Sequence, residues 1–112
     1  MAAYIEFPAE HLSQTKQFFE SVFGWSFVDY GSEYTAFSQV DVEGGFYQSE
    51  RKARTENGSA LVVLYSENLE QTLTKVSNAG GQIIQPIFAF PGGRRFHFLE
   101  PSGNELAVWS DH

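Results

Sequence analysis

The chain contains no cysteine. Disulfides, thiolate metal sites and cysteine nucleophiles are therefore excluded. Nowhere does it hold a run of the ~20 apolar residues that a membrane-spanning helix needs. Basic residues are scarce: 7 Lys and Arg stand against 14 Asp and Glu, a net charge of −7. Such a surface repels a phosphate backbone, so nucleic acid is not an expected partner. The first residues, Met1-Ala2-Ala3-Tyr4-Ile5-Glu6, lack a basic segment followed by an apolar run. No secretory signal is read there, and a cytoplasmic location is the expectation. No Ser-His-Asp pattern, phosphate-binding loop or dinucleotide fingerprint appears. What the chain has in abundance is aromatic: 16% Phe, Trp and Tyr, within a hydrophobic share of 42%. Over 112 residues that composition builds one well-packed domain.

The chain repeats itself. A shift of 57 residues lays Glu10-His11-Leu12-Ser13-Gln14-Thr15 on Glu67-Asn68-Leu69-Glu70-Gln71-Thr72, with four of six positions identical. The same shift lays Gly24 on Gly81 and Ile5 on Val62. The predicted structure repeats with it. In the first half, Tyr4-Ile5-Glu6-Phe7 reads as a short strand stopped by Pro8. Leu12, Phe19, Val22 and Phe23 recur at helical spacing, and Gly24 closes that helix. Trp25 to Val28, Tyr34 to Phe37 and Gly45 to Tyr47 read as strands. In the second half, Leu61 to Tyr65 is strongly β-favouring. Leu69, Leu73 and Val76 form one helical stripe, with Ser66 or Asn68 as the cap and Gly80-Gly81 as the stop. Gln82 to Gln85, ended by Pro86, then Arg95 to Leu99 and Leu106 to Trp109 read as strands. Helices are expected near 10–23 and 67–79. Residues 48–59, which carry Arg51, Lys52 and Arg54, read as a solvated linker.

Three stretches carry a family resemblance. They are Phe18-Phe19-Glu20-Ser21-Val22-Phe23-Gly24-Trp25, Asn68-Leu69 through Ala79-Gly80-Gly81, and Glu100-Pro101-Ser102-Gly103-Asn104. In this order, with the 57-residue repeat, the chain resembles the vicinal-oxygen-chelate superfamily of glyoxalases, bleomycin-resistance proteins and extradiol dioxygenases. The resemblance implies an α+β domain of two β-α-β-β-β modules, whose curved mixed half-sheets enclose a cleft. Module one would span about 1–47 and module two about 60–112, in a single domain over 1–112. It also implies a homodimer, in which the cleft can be shared between chains. In the turn, Gly103 and Asn104 are residue types that accept positive φ.

Enzymes of this superfamily hold a divalent metal by His, Gln or Glu on the first strand of each module and on the last strand. Carried over position by position, those places are Tyr4, Leu61 and Ala107. Leu61 and Ala107 cannot ligate, and a Tyr phenol ordinarily keeps its proton to a pH of about 10. No metal and no other cofactor are therefore expected. Strand parity fills in the surroundings, because side chains two apart share a face. The expected cleft wall is Tyr4, Glu6, Leu61, Val63, Tyr65, Glu105, Ala107 and Trp109, an aromatic and aliphatic surface with two carboxylates. It suits a flat aromatic or cationic ligand. Aromatics on strands also serve simply as core, and Glu6 could only pair with Arg94 or Arg95. His97, between Phe96 and Phe98, reads as a partly buried, hydrogen-bonded histidine with base chemistry open to it. His11 and His112 read as surface residues.

Three functions compete. The first is a metal-free binding protein that sequesters a small aromatic compound. The second is a lyase or isomerase of the glyoxalase type, with metal ligands displaced to Glu6, Glu105 and His97, or with Glu6 as base. The third is a dimerising structural or regulatory module. The superfamily hosts many activities, so the site and not the fold decides.

Overall fold

The structure, a computed structural model, describes residues 3–39 and 41–112; the expected start of module one at Met1 and Ala2 lies outside them. Module one runs β1 (Ile5–Ala9), α1 (Leu12–Phe23), β2 (Phe27–Asp29), β3 (Tyr34–Ser38) and β4 (Glu43–Gln48). Module two runs β5 (Val62–Tyr65), α2 (Leu69–Asn78), β6 (Gln82–Phe90), β7 (Gly93–Leu99) and β8 (Glu105–Ser110). Each module forms an open four-stranded sheet, ordered β1-β4-β3-β2 and β5-β8-β7-β6. The first strand pairs parallel with the last, and the other pairs are antiparallel. This is the expected α+β architecture of mixed half-sheets. Among the described residues no helix is long and apolar enough to cross a membrane.

The helix boundaries follow local chemistry. Gly24 sits at φ 70° beyond α1, where a side chain would be strained, and donates its N–H to the Glu20 carbonyl. Asn68 caps α2 by accepting the Gln71 N–H at 3.0 Å. The start of α1 has no cap from its own segment: His11 makes no side-chain cap bond. Module two anchors this end instead. The His11 N–H reaches Ser102 Oγ at 3.0 Å, and Thr15 Oγ1 lies 2.6 Å from Ser102 Oγ and 2.6 Å from Glu100 Oε2. Glu100 Oε1 accepts from Ser102 N, Asn104 N and Asn104 Nδ2. Burial pushes the Glu100 carboxyl upward, and the bonds from Thr15, Asn104 and Ser102 oppose it.

One hydrophobic core serves both modules. Phe7, Phe37 and Phe46 enter it from the first sheet, and Phe96, Phe98, Leu106 and Val108 from the second. Helix α1 joins them: Trp25, just past its end, stacks between Phe19 and Phe37 at 4.6 and 4.5 Å, and Phe18 packs on Phe98 at 5.6 Å. Each sheet therefore keeps a helix-covered core face and an open opposite face.

Four expectations are corrected. Pro8 does not stop β1, which continues to Ala9. Pro86 does not stop β6, which continues to Phe90 through two register shifts. Both are edge strands, where a missing ladder N–H is tolerated. Asn104 does not take positive φ; among described residues only glycines do. Its side chain acts instead, donating to the Pro8 carbonyl at 2.6 Å and accepting the Ala53 N–H at 2.8 Å. The 48–59 linker is not simply solvated. Ala53 is bonded to Asn104 and Glu105, Arg54 to Gly103, and Thr55 to Glu105, next to a 3-10 turn at Thr55–Asn57.

Candidate ligand-binding site

The open face of the second sheet is ordered by register. One row across it runs Tyr65, Trp109, Arg95, Phe88, and the next runs Val63, Ala107, His97, Gln85. Tyr65 and Trp109 meet edge-to-face at 5.0 Å, and Phe90 meets Trp109 at 6.3 Å. Tyr65 remains 45% exposed. Beside this row, between the edge strands β1 and β5, lies a groove of about 660 Å³. Phe23, Trp25, Val63, Tyr65 and Trp109 are among its walls, and Asp41 is the one charged residue there among the described residues. Its size falls within the ~300–1,000 Å³ of small-molecule sites.

Val63, Tyr65 and Trp109, named from strand parity, thus stand together. The other five do not line this groove. Ala107 is wholly buried in the floor between Val63 and His97. Leu61 is half-buried just before β5. Glu105 is 5% exposed, with Oε1 accepting from Thr55 N and Oγ1 at 2.9 Å and Oε2 lying 2.9 Å from His97 Nδ1. Burial raises the Glu105 carboxyl, but the bonds from His97 and Thr55 outweigh it and hold it below its usual range.

Tyr4 and Glu6 lie on the open face of the first sheet, joined by a residue the sequence reading did not select. Tyr34 Oη donates to Glu6 Oε2 at 3.0 Å and lies 2.5 Å from Tyr4 Oη. Burial, then the bonds to Tyr4 and Glu6, hold the Tyr34 phenol above its usual range. The ring crosses Gly45, where an added Cβ would stand 2.1 Å from the hydroxyl. Glu6 does not pair with Arg94 or Arg95: Arg94 binds Glu70, and the Arg95 guanidinium lies over Phe88 and Phe90 at 5.3 and 5.5 Å. Glu6 lines a separate hollow with Tyr47, Arg51 and Lys52.

The positions that hold the metal in the superfamily's enzymes do not offer a donor set here. Leu61 and Ala107 offer no donor, and Tyr4 is bonded to Tyr34. Glu105 and His97 come together, but among the described residues no third His, Asp or Glu joins them. Two polar atoms stay buried without a hydrogen-bond partner among the described residues, Arg95 Nε and His97 Nε2. Sequence reasoning missed Arg95, although its place two residues before His97 puts both on one face of β7.

Comparison with known proteins adds the following. The sequence model described as the glyoxalase/bleomycin resistance protein/dioxygenase superfamily matches residues 2–108. No curated protein matches the chain in sequence. Among solved structures, a glyoxalase-related enzyme from Fulvimarina pelagi superposes with a TM-score of 0.81 at 18% identity, covering 98% of this chain and 87% of that one. The fosfomycin resistance protein FosX from Listeria monocytogenes gives 0.80 at 11% identity, covering 98% and 92%. A lactoylglutathione lyase from Agrobacterium tumefaciens gives 0.70 at 18% identity, covering 98% and 94%.

Proposed function

Because the chain belongs to the glyoxalase/bleomycin resistance protein/dioxygenase superfamily, we propose that it is a small-molecule-binding protein that sequesters a flat aromatic compound without a metal. The observation that carries this reading is the groove beside Tyr65 and Trp109, walled by aromatic and aliphatic side chains. A ring stacks on Trp109, and a cationic substituent is drawn to Asp41. The donor-free positions Leu61 and Ala107 support the metal-free part. The working unit in this proposal is a homodimer in the cytoplasm. Tyr4, Val28, Tyr47, Val63 and Tyr65 are exposed, and a second copy set against the open faces would cover them.

A second reading draws on the His97–Glu105 pair. A carboxylate-oriented imidazole can take a proton, as a lyase or isomerase requires, whereas Glu6 already accepts from Tyr34. Titration of tryptophan fluorescence with aromatic and cationic compounds tests the first reading. Saturable quenching is expected, and Trp109→Leu should weaken binding by about 0.5–2 kcal/mol. A broad panel without quenching contradicts it. Conversion of the bound compound in the presence of chelator would favour the second reading.

A further inference from the structure

Two nitrogens with unmet hydrogen-bonding capacity belong to residues two apart on one face of β7. Arg95 Nε and His97 Nε2 are both fully buried and unpartnered among the described residues. One aromatic ring lies against both side chains. The Phe88 ring centre is 5.3 Å from the Arg95 guanidinium carbon and 5.8 Å from the His97 ring centre. An unsatisfied buried polar group is costly, and two beneath one phenyl ring mark a place where that ring is an imperfect occupant.

The chemistry of the missing partner follows from the two atoms. His97 Nδ1 lies 2.9 Å from the Glu105 carboxylate, which fixes the proton on Nδ1. With Nδ1–H donating to Glu105, Nε2 is the lone-pair acceptor of that tautomer. Arg95 Nε–H is a donor. The complementary group both donates and accepts, as a hydroxyl does. A carboxylate would meet the Nε2 lone pair and the Glu105 charge. A cation would meet the Arg95 guanidinium. The guanidinium already lies over two phenyl rings, so it accepts a flat ring as a neighbour.

We propose that His97 Nε2 and Arg95 Nε form a subsite for the hydroxyl of an aromatic ligand, and that Phe88 holds the subsite closed until the ligand's ring replaces it. This rests on the ligand-binding reading above and names the class of compound. Phe88 is free to yield because β6 is an edge strand with a register shift between Gln85 and Phe88. Trp109 joins the subsite to the groove, being the cross-strand neighbour of Arg95 and a wall of the groove.

Isothermal titration with 2-naphthol and 2-methoxynaphthalene tests the assignment, since the ether keeps the ring and the acceptor but loses the donor. The wild-type protein should bind the naphthol about 10-fold tighter than the ether. His97→Leu should abolish that preference while leaving the ether's affinity in place. Phe88→Ala should raise affinity for the naphthol, and it reads the same subsite should His97→Leu not fold. Saturable binding of both compounds with equal affinity, or weaker naphthol binding by Phe88→Ala, overturns the subsite and leaves the binding reading standing. Absence of saturable binding by either compound overturns both.

Discussion

Removing the Asn104 side chain should be among the most damaging single changes in the chain. Asn104 is fully buried and ties three segments. Nδ2 donates to the Pro8 carbonyl of β1 at 2.6 Å and to Glu100 Oε1 at 3.2 Å, and Oδ1 accepts the Ala53 N–H at 2.8 Å. Asn104→Ala deletes all three bonds, each worth about 0.5–1.5 kcal/mol net. Together the three come to about 1.5–4.5 kcal/mol, and the upper part of that range applies because the Pro8 carbonyl and the Ala53 N–H lose a buried partner. A loss of about 3–4 kcal/mol is expected, a large part of the ~5–15 kcal/mol of a typical domain. Urea unfolding followed by circular dichroism reads it. With an m-value of roughly 1.5–2 kcal/mol/M, the midpoint should fall by about 2 M. Thr74→Ala, which removes an exposed hydroxyl bonded within α2, should shift it far less. A midpoint shift below about 0.5 M at unchanged m would refute the claim that this side chain staples the modules.

Gly45→Ala should cost about 1–3 kcal/mol by overpacking, because the new methyl displaces Tyr34 from Glu6 and also meets the Thr35 carbonyl; thermal unfolding checks it. Glu105 is held below its usual carboxylate range, so its contribution is present above about pH 4.3 and is lost as pH falls through the folded value. Glu105→Gln should therefore be less stable than wild type at pH 7, and the gap in urea midpoint should close toward pH 3 (roughly, from the unfolded value). Light scattering at micromolar concentration should give twice the chain mass, and a monomer would contradict the proposed dimer.

The sequence made the modular fold legible because its signals are local. Gly24 and Asn68 end and begin helices by chemistry within one turn of chain. The internal repeat carried the same logic to the second module. Pro8 and Pro86 misled for a non-local reason. A proline is disruptive inside a sheet and harmless at its edge, and strand order is a property of the fold. The candidate site was legible only in part. Parity grouped Val63 with Tyr65 and Ala107 with Trp109, and the register sets those pairs opposite each other. It could not reveal Tyr34 between Tyr4 and Glu6, which lies 28 residues from Glu6 in the chain. Nor could it show Thr55 reaching Glu105 from a linker, or Phe88 against Arg95 and His97, whose alignment depends on a strand with two register shifts.

The central claim, that this face binds an aromatic molecule through side chains alone, is tested most directly by calorimetric titration of chelator-treated protein with an aromatic ligand taken from the fluorescence panel. Saturable binding with the same affinity before and after chelation is the predicted result. Binding that disappears on chelation and returns with added divalent metal would contradict it.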